Sequence, residues 1–154
     1  MPVQKLKDYL DKNKVRWVSI RHSTAYTASA IAASAHVKGK NLAKSVIVKL
    51  DGKLAMAVLP SKFRVDLEQL RQAAQAGAAE LATEEDFAKA FANCEEGAMP
   101  PFGNLYGVPV YVEKSLAEDE EIAFNACSHS ELIQLAYKDF AGLVKPTVAS
   151  FRMH

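Results

Sequence analysis

The sequence predicts an α+β fold: a single domain with a mixed, mostly antiparallel β-sheet surrounded by short helices. Three observations carry that expectation. Short segments of two-residue alternation are interleaved with short amphipathic stretches, Asp51-Gly52 joins two alternating runs, and long strand–helix–strand units of a parallel sheet do not occur. With 154 residues, 49% of them hydrophobic and 24% charged, the chain can bury one core without staples, so one domain is expected over residues 1–154.

The elements follow in order. Pro2 suits a first helical turn, and Val3, Leu6 and Leu10 recur at helical spacing. Val15, Trp17 and Ser19 alternate with Arg16, Val18 and Ile20, which predicts a strand ending near His22. Thr27 is placed to cap a small-residue helix carrying Ala28, Ile31, Ala32 and Ala35, closed by Gly39. Residues 44–50 and 53–59 flank Asp51-Gly52, the pair that supplies the positive φ angles of a two-residue hairpin turn. Asp66 is placed to cap a helix with Leu67, Leu70 and Ala74, stopped by Gly77. A short strand is expected around Leu81, and Thr83 with Asp86 starts a helix carrying Phe87 and Phe91. From Asn93 to Gly107 periodicity fails, and this stretch reads as an ordered loop with turn residues at both ends. Strands at 108–113, 122–127 and 131–136 and a helix near Asp139 to Val144, ended by Pro146, complete the reading.

Composition narrows the function classes. No apolar run approaches the ~18 residues of a membrane span, and the N-terminal stretch alternates Lys with Leu, so a soluble, cytoplasmic protein without a membrane partner is expected. The two cysteines, Cys94 and Cys127, form no CxxC pair and are expected as reduced thiols. His22, His36 and His129 lack metal-ligand spacing, so no metal and no cofactor is expected. Net charge is +1, yet residues 1–64 hold 13 Lys and Arg against 3 Asp and Glu, while residues 65–154 hold 6 against 15. A basic half attracts phosphates and an acidic half limits wrapping, which suits contact with one end of an RNA rather than a DNA duplex; mutual cancellation of the two halves in space is the other reading.

Two places can carry chemistry. In the segment 97–103, Pro100 and Pro101 have no N–H and fix φ, so the remaining amides can be pre-aimed at a carbonyl that becomes tetrahedral; the same stretch can equally be a rigid turn that packs Phe102 into the core. Lys44 opens a strand at the end of the basic segment, on the face of Val46 and Val48, where it either meets a phosphate or polarised carbonyl or extends to solvent. Cys94 with His129 as base would make a thiol hydrolase, a third possibility that many inert thiols also match.

Thr27-Ala-Ser-Ala-Ile-Ala32, Ala43-Lys44-Ser-Val, Gly97 through Pro101-Phe102-Gly103, and Asn125-Ala-Cys-Ser-His129 occur in that order. Through them the chain resembles the YbaK/prolyl-tRNA synthetase editing-domain family of aminoacyl-tRNA deacylases, from about His22 to about Val144. The segment Cys94 to Gly103 looks closest to the freestanding YeaK-like branch, which is expected to edit in trans. The resemblance implies that Lys44 engages the tRNA 3′ end and that Gly97 and Pro101 belong to a loop whose amides hold the substrate ester. Water would hydrolyse it without a protein nucleophile. Thr27 and His129 match positions near the amino-acid pocket, which Met99, Phe102 and Cys127 would border. Cys127 stands where the family usually has glycine. Lys38, Lys40 and Lys44 are expected to face the acceptor end. The partners implied are mischarged aminoacyl-tRNA and, as an open second, an aminoacyl-tRNA synthetase. The expected activity is hydrolysis of a small amino acid, serine or alanine, from tRNA; a silent tRNA- or synthetase-binding module of the same fold is the alternative.

Overall fold

In the computed structural model of the chain, residues 2–21, 42–87, 94, 98–128 and 130–153 are described below. Helix α1 (Pro2–Lys12) leads to β1 (Trp17–Arg21), then β2 (Leu42–Leu50) and β3 (Lys53–Pro60). After them come β4 (Arg64–Val65), α2 (Leu67–Ala74), β5 (Ala79–Leu81) and α3 (Glu84–Phe87). A 3-10 turn at Gly103–Leu105 precedes β6 (Val110–Glu113), α4 (Lys114–Ala117), β7 (Glu121–Asn125), β8 (Glu131–Ala136), α5 (Tyr137–Val144), β9 (Thr147–Ala149) and β10 (Arg152–Met153). The expected helix at Thr27 and the extension of α3 to Phe91 lie outside the described residues.

The main sheet runs β1-β8-β7-β2-β3-β6-β9, with β5 pairing β2 at its far end. Pairs β1–β8, β7–β8, β2–β3 and β2–β5 are antiparallel, whereas β2–β7, β3–β6 and β6–β9 are parallel, so the sheet is mixed as expected. Strands β4, β9 and β10 were not legible beforehand. Each has two or three residues, too short to show a period, and β4 and β10 pair only with each other.

Local chemistry explains several boundaries. Asp51 (φ 52°) and Gly52 (φ 82°) make the β2–β3 turn, and the Asp51 carboxylate also accepts from the Gly77 and Ala78 amides at 2.9 Å each. Asp66 caps α2 by accepting from the Gln69 amide at 3.1 Å. The helix does not end at Gly77 as expected: Gln75 takes the left-handed position (φ 55°), which leaves the Gly77 amide for Asp51. Thr83 and Asp86 exchange reciprocal side-chain-to-amide bonds at the start of α3.

Strand β2 is buried on both faces. Ala43 and Ile47 join the larger core with Leu6, Leu10, Met56, Phe102, Phe124 and Phe140, while Val48 joins Leu59, Leu70 and Phe151 on the other side. At the centre of the larger core, Phe102 is fully buried, with ring centroids 5.4 Å from Phe140, 5.7 Å from Phe124 and 6.3 Å from Tyr9. Burial of such a ring contributes about 1.5–3 kcal/mol, so the loop is anchored by its own aromatic residue. No helix among the described residues is long and apolar enough to cross a membrane.

Candidate functional site

Strands β2 and β7 run side by side where β2 approaches Lys44 and β7 approaches the turn of Cys127. Their parallel register pairs Leu42 with Ala123 and Ala43 with Phe124, so Lys44 follows the last paired residue of β2 as Asn125 follows that of β7. Lys44 is half-buried at the head of β2, opposite Leu59 of β3. Burial first, and then the nearby Arg64 guanidinium, hold its ammonium below the ordinary lysine range. A cation already short of water and repelled by a second one gains more from an arriving anion than an exposed lysine does.

Beyond Asn125 the chain turns. The Ala126 amide donates to the Glu131 carbonyl at 3.0 Å, and Ser128 Oγ accepts from the Ser130 amide at 3.0 Å. Inside this turn Cys127 has φ 64°, the left-handed conformation that glycine adopts without a Cβ penalty. The glycine expected at this position by resemblance is thus explained by the backbone. The Cys127 amide donates to the Ala98 carbonyl at 2.9 Å, which fastens the turn to the proline loop.

Ala98, Met99, Pro100 and Pro101 are buried. Since neither proline has an N–H, the backbone donors around the pair are those of Ala98 and Met99 before it and Phe102 after it. Phe102, expected at the pocket border, instead turns its ring wholly into the core, and Met99 is 6% exposed in the same cluster. Gly103 is required by space: a Cβ there would lie 2.7 Å from Val110 Cγ2 and 2.9 Å from both Val108 Cγ2 and the Val108 carbonyl oxygen.

The cysteines correct the sequence reading. Cys94 and Cys127, expected as separate reduced thiols, are joined as a disulfide with their Cα atoms 4.3 Å apart. Their separation of 33 residues hid this, because only the β7 turn brings them together. A nucleophilic Cys94 thiolate is not available in this disulfide form. The Tyr106 hydroxyl lies 3.9 Å from each sulfur, and burial pushes its pKa up. Tyr106 is the site neighbour that no spacing in the sequence singled out, and Asn125, which opens the 125–129 motif, has its Oδ1 buried without a hydrogen-bond partner among the described residues.

Thr27, Lys38, Lys40, Gly97 and His129 lie outside the described residues. The split of charge is partly neutralised in space: Lys7 pairs with Glu131 at 2.9 Å and Lys49 with Asp86 at 3.1 Å, each joining the basic half to the acidic one.

A family model described as an aminoacyl-tRNA editing domain matches residues 22–143. No curated protein matches the chain. Among solved structures, one described as a candidate trans-editing enzyme for prolyl tRNA synthetase is similar at TM-score 0.84 and 17% identity, covering 99% of this chain and 98% of that one. Hypothetical protein APE2540 is similar at TM-score 0.85 and 15% identity, over 97% and 99% of the two chains. A signal transduction protein candidate from Marinobacter aquaeolei VT8 contains a similar fold at TM-score 0.76 and 17% identity, over 97% of this chain but 30% of its own. At these identities the structures bear on the fold, and the family rests on the sequence match: the chain belongs to the aminoacyl-tRNA editing domain family.

Proposed function

We propose that the chain is a trans-editing hydrolase, acting as one editing domain, that deacylates mischarged aminoacyl-tRNA carrying a small amino acid, with serine or alanine preferred. The observation that carries this reading is Lys44: a half-buried cation with a lowered pKa, one residue past the stretch of β2 that pairs with β7. Such a cation is suited to the phosphate or ester oxygens at a tRNA 3′ end. Water attacks the ester carbonyl, and amides of the Gly97–Pro101 loop receive the developing oxyanion with little reorganisation. Thr27 and His129 contact the amino acid, and Lys38 and Lys40 meet acceptor-stem phosphates.

The preference for a small side chain is supported by the crowding around Cys127, which stands where the family has glycine, and by the buried Met99. Size exclusion rejects large residues strongly, whereas one methylene or hydroxyl is separated by only ~1–3 kcal/mol, so serine, alanine and threonine overlap. The test is a single-turnover panel of Ser-, Ala-, Thr-, Cys- and Pro-charged tRNAs with the full chain. Fast hydrolysis of Ser- or Ala-tRNA is expected. Fast hydrolysis of Pro-tRNA alone would overturn the small-pocket reading, and binding without hydrolysis of any would make the chain a recognition module.

A further inference from the structure

We infer that Cys94 and Cys127 are a site of reversible thiol oxidation that governs access to the editing site, an inference that rests on the function proposed above. Three observations converge on the pair. The two Cα atoms lie 4.3 Å apart, so residue 94 is held tightly against the site turn. Cys127 occupies a left-handed position (φ 64°) that glycine fills without a Cβ penalty, so a thiol is present there despite the backbone's preference. The Cys127 amide also holds the Ala98 carbonyl, so whatever moves Cys127 is felt at the loop.

The disulfide holds residue 94 against Cys127, which the proposed function puts at the border of the aminoacyl group. With the bond made, the Cys94 and Cys127 side chains and the Tyr106 hydroxyl crowd one another, each sulfur 3.9 Å from that oxygen. Reduction releases the Cys94 side chain from Cys127 and opens room beside the loop. The reduced protein is therefore the active form and the oxidised one is held off.

The chemistry balances with a small-molecule disulfide as oxidant. The thiolate of Cys94, the more exposed of the two, attacks one sulfur of that disulfide, forms a mixed disulfide and expels one thiolate. The Cys127 thiolate then attacks Cys94 Sγ and expels the second. The protein loses two electrons and two protons in forming one S–S bond, and the oxidant becomes two thiols.

The experiment uses the full chain equilibrated with glutathione disulfide or with dithiothreitol. Thiols are counted by gel shift with a maleimide-linked polymer after denaturation. The same samples are assayed for single-turnover hydrolysis of Ser-tRNA and for binding of an RNA minihelix carrying seryl through a non-hydrolysable amide. Oxidised wild type should take no label, and reduced wild type should label both cysteines. Oxidation should lower hydrolysis and minihelix affinity by about tenfold, restored by dithiothreitol. Cys94→Ser should behave as reduced wild type in both buffers. Full labelling after glutathione disulfide would overturn the inference, as would hydrolysis and binding that ignore the oxidation state. Redox-dependent minihelix binding with no hydrolysis in either form would sustain the switch and overturn the editing reading.

Discussion

The amide of Cys127 donates to the carbonyl of Ala98 at 2.9 Å, and this bond joins the turn after β7 to the proline loop. Two of the four motif segments are therefore fastened to each other. Lys44 stands one residue past the parallel β2–β7 pairing, on the sheet face of Val46 and Val48.

Lys44→Ala should abolish most deacylation, by roughly 10²-fold or more, with an unchanged circular dichroism spectrum. Because the Lys44 pKa is lowered and the ammonium is the form that acts, wild-type activity should fall with rising pH before an ordinary lysine would deprotonate. Arg64→Gln removes a like charge and should raise the Lys44 pKa, moving that alkaline limb to higher pH. It should still lie below the ordinary lysine range, since burial is the larger cause and persists. A limb that does not move in Arg64→Gln would contradict this coupling.

Gly103→Ala should be destabilising by about 1–3 kcal/mol, since its Cβ has backbone and Val108 and Val110 side chains in the way. Denaturant unfolding measures the loss. Gly52→Ala, with open space around its Cβ, should be hurt only through its positive φ.

Cys127→Gly, studied with dithiothreitol so that the disulfide does not enter, should stabilise the fold by up to about 1 kcal/mol by relieving the left-handed backbone. It should also widen the range of amino acids hydrolysed. An unchanged substrate panel would remove Cys127 from the pocket wall.

Glu113 is 2% exposed, and its carboxylate accepts from the Phe151 amide at 2.7 Å and the Ser115 amide at 3.1 Å. Glu113→Ala should cost about 1–3 kcal/mol per amide left unsatisfied. Hydrogen exchange should quicken first at Phe151 and in β10.

Binding of tRNA should weaken with salt, and Lys38→Glu/Lys40→Glu should weaken it further while flattening the salt dependence. Affinity constant from low to moderate salt, measured by fluorescence anisotropy, would refute an acceptor-end contact through these lysines.

Sequence by itself determined the local elements whose causes are local. Asp51-Gly52 specifies its hairpin through φ preference, Asp66 and the Thr83–Asp86 pair specify helix starts through side-chain bonds to nearby amides, and the alternation of β2 puts Lys44 on the face of Val46 and Val48. The family was legible as well, since its motifs survive as ordered strings. Only the tertiary structure decided which distant groups meet. The pairing of Cys94 with Cys127, the hold of Cys127 on Ala98, the burial of Glu113 beneath Phe151 and the turn of the Phe102 ring into the core all depend on strand order and parallel crossovers. No residue spacing encodes those contacts, because they arise when non-adjacent strands pack to bury apolar surface and each buried polar group takes the partner that packing leaves within reach.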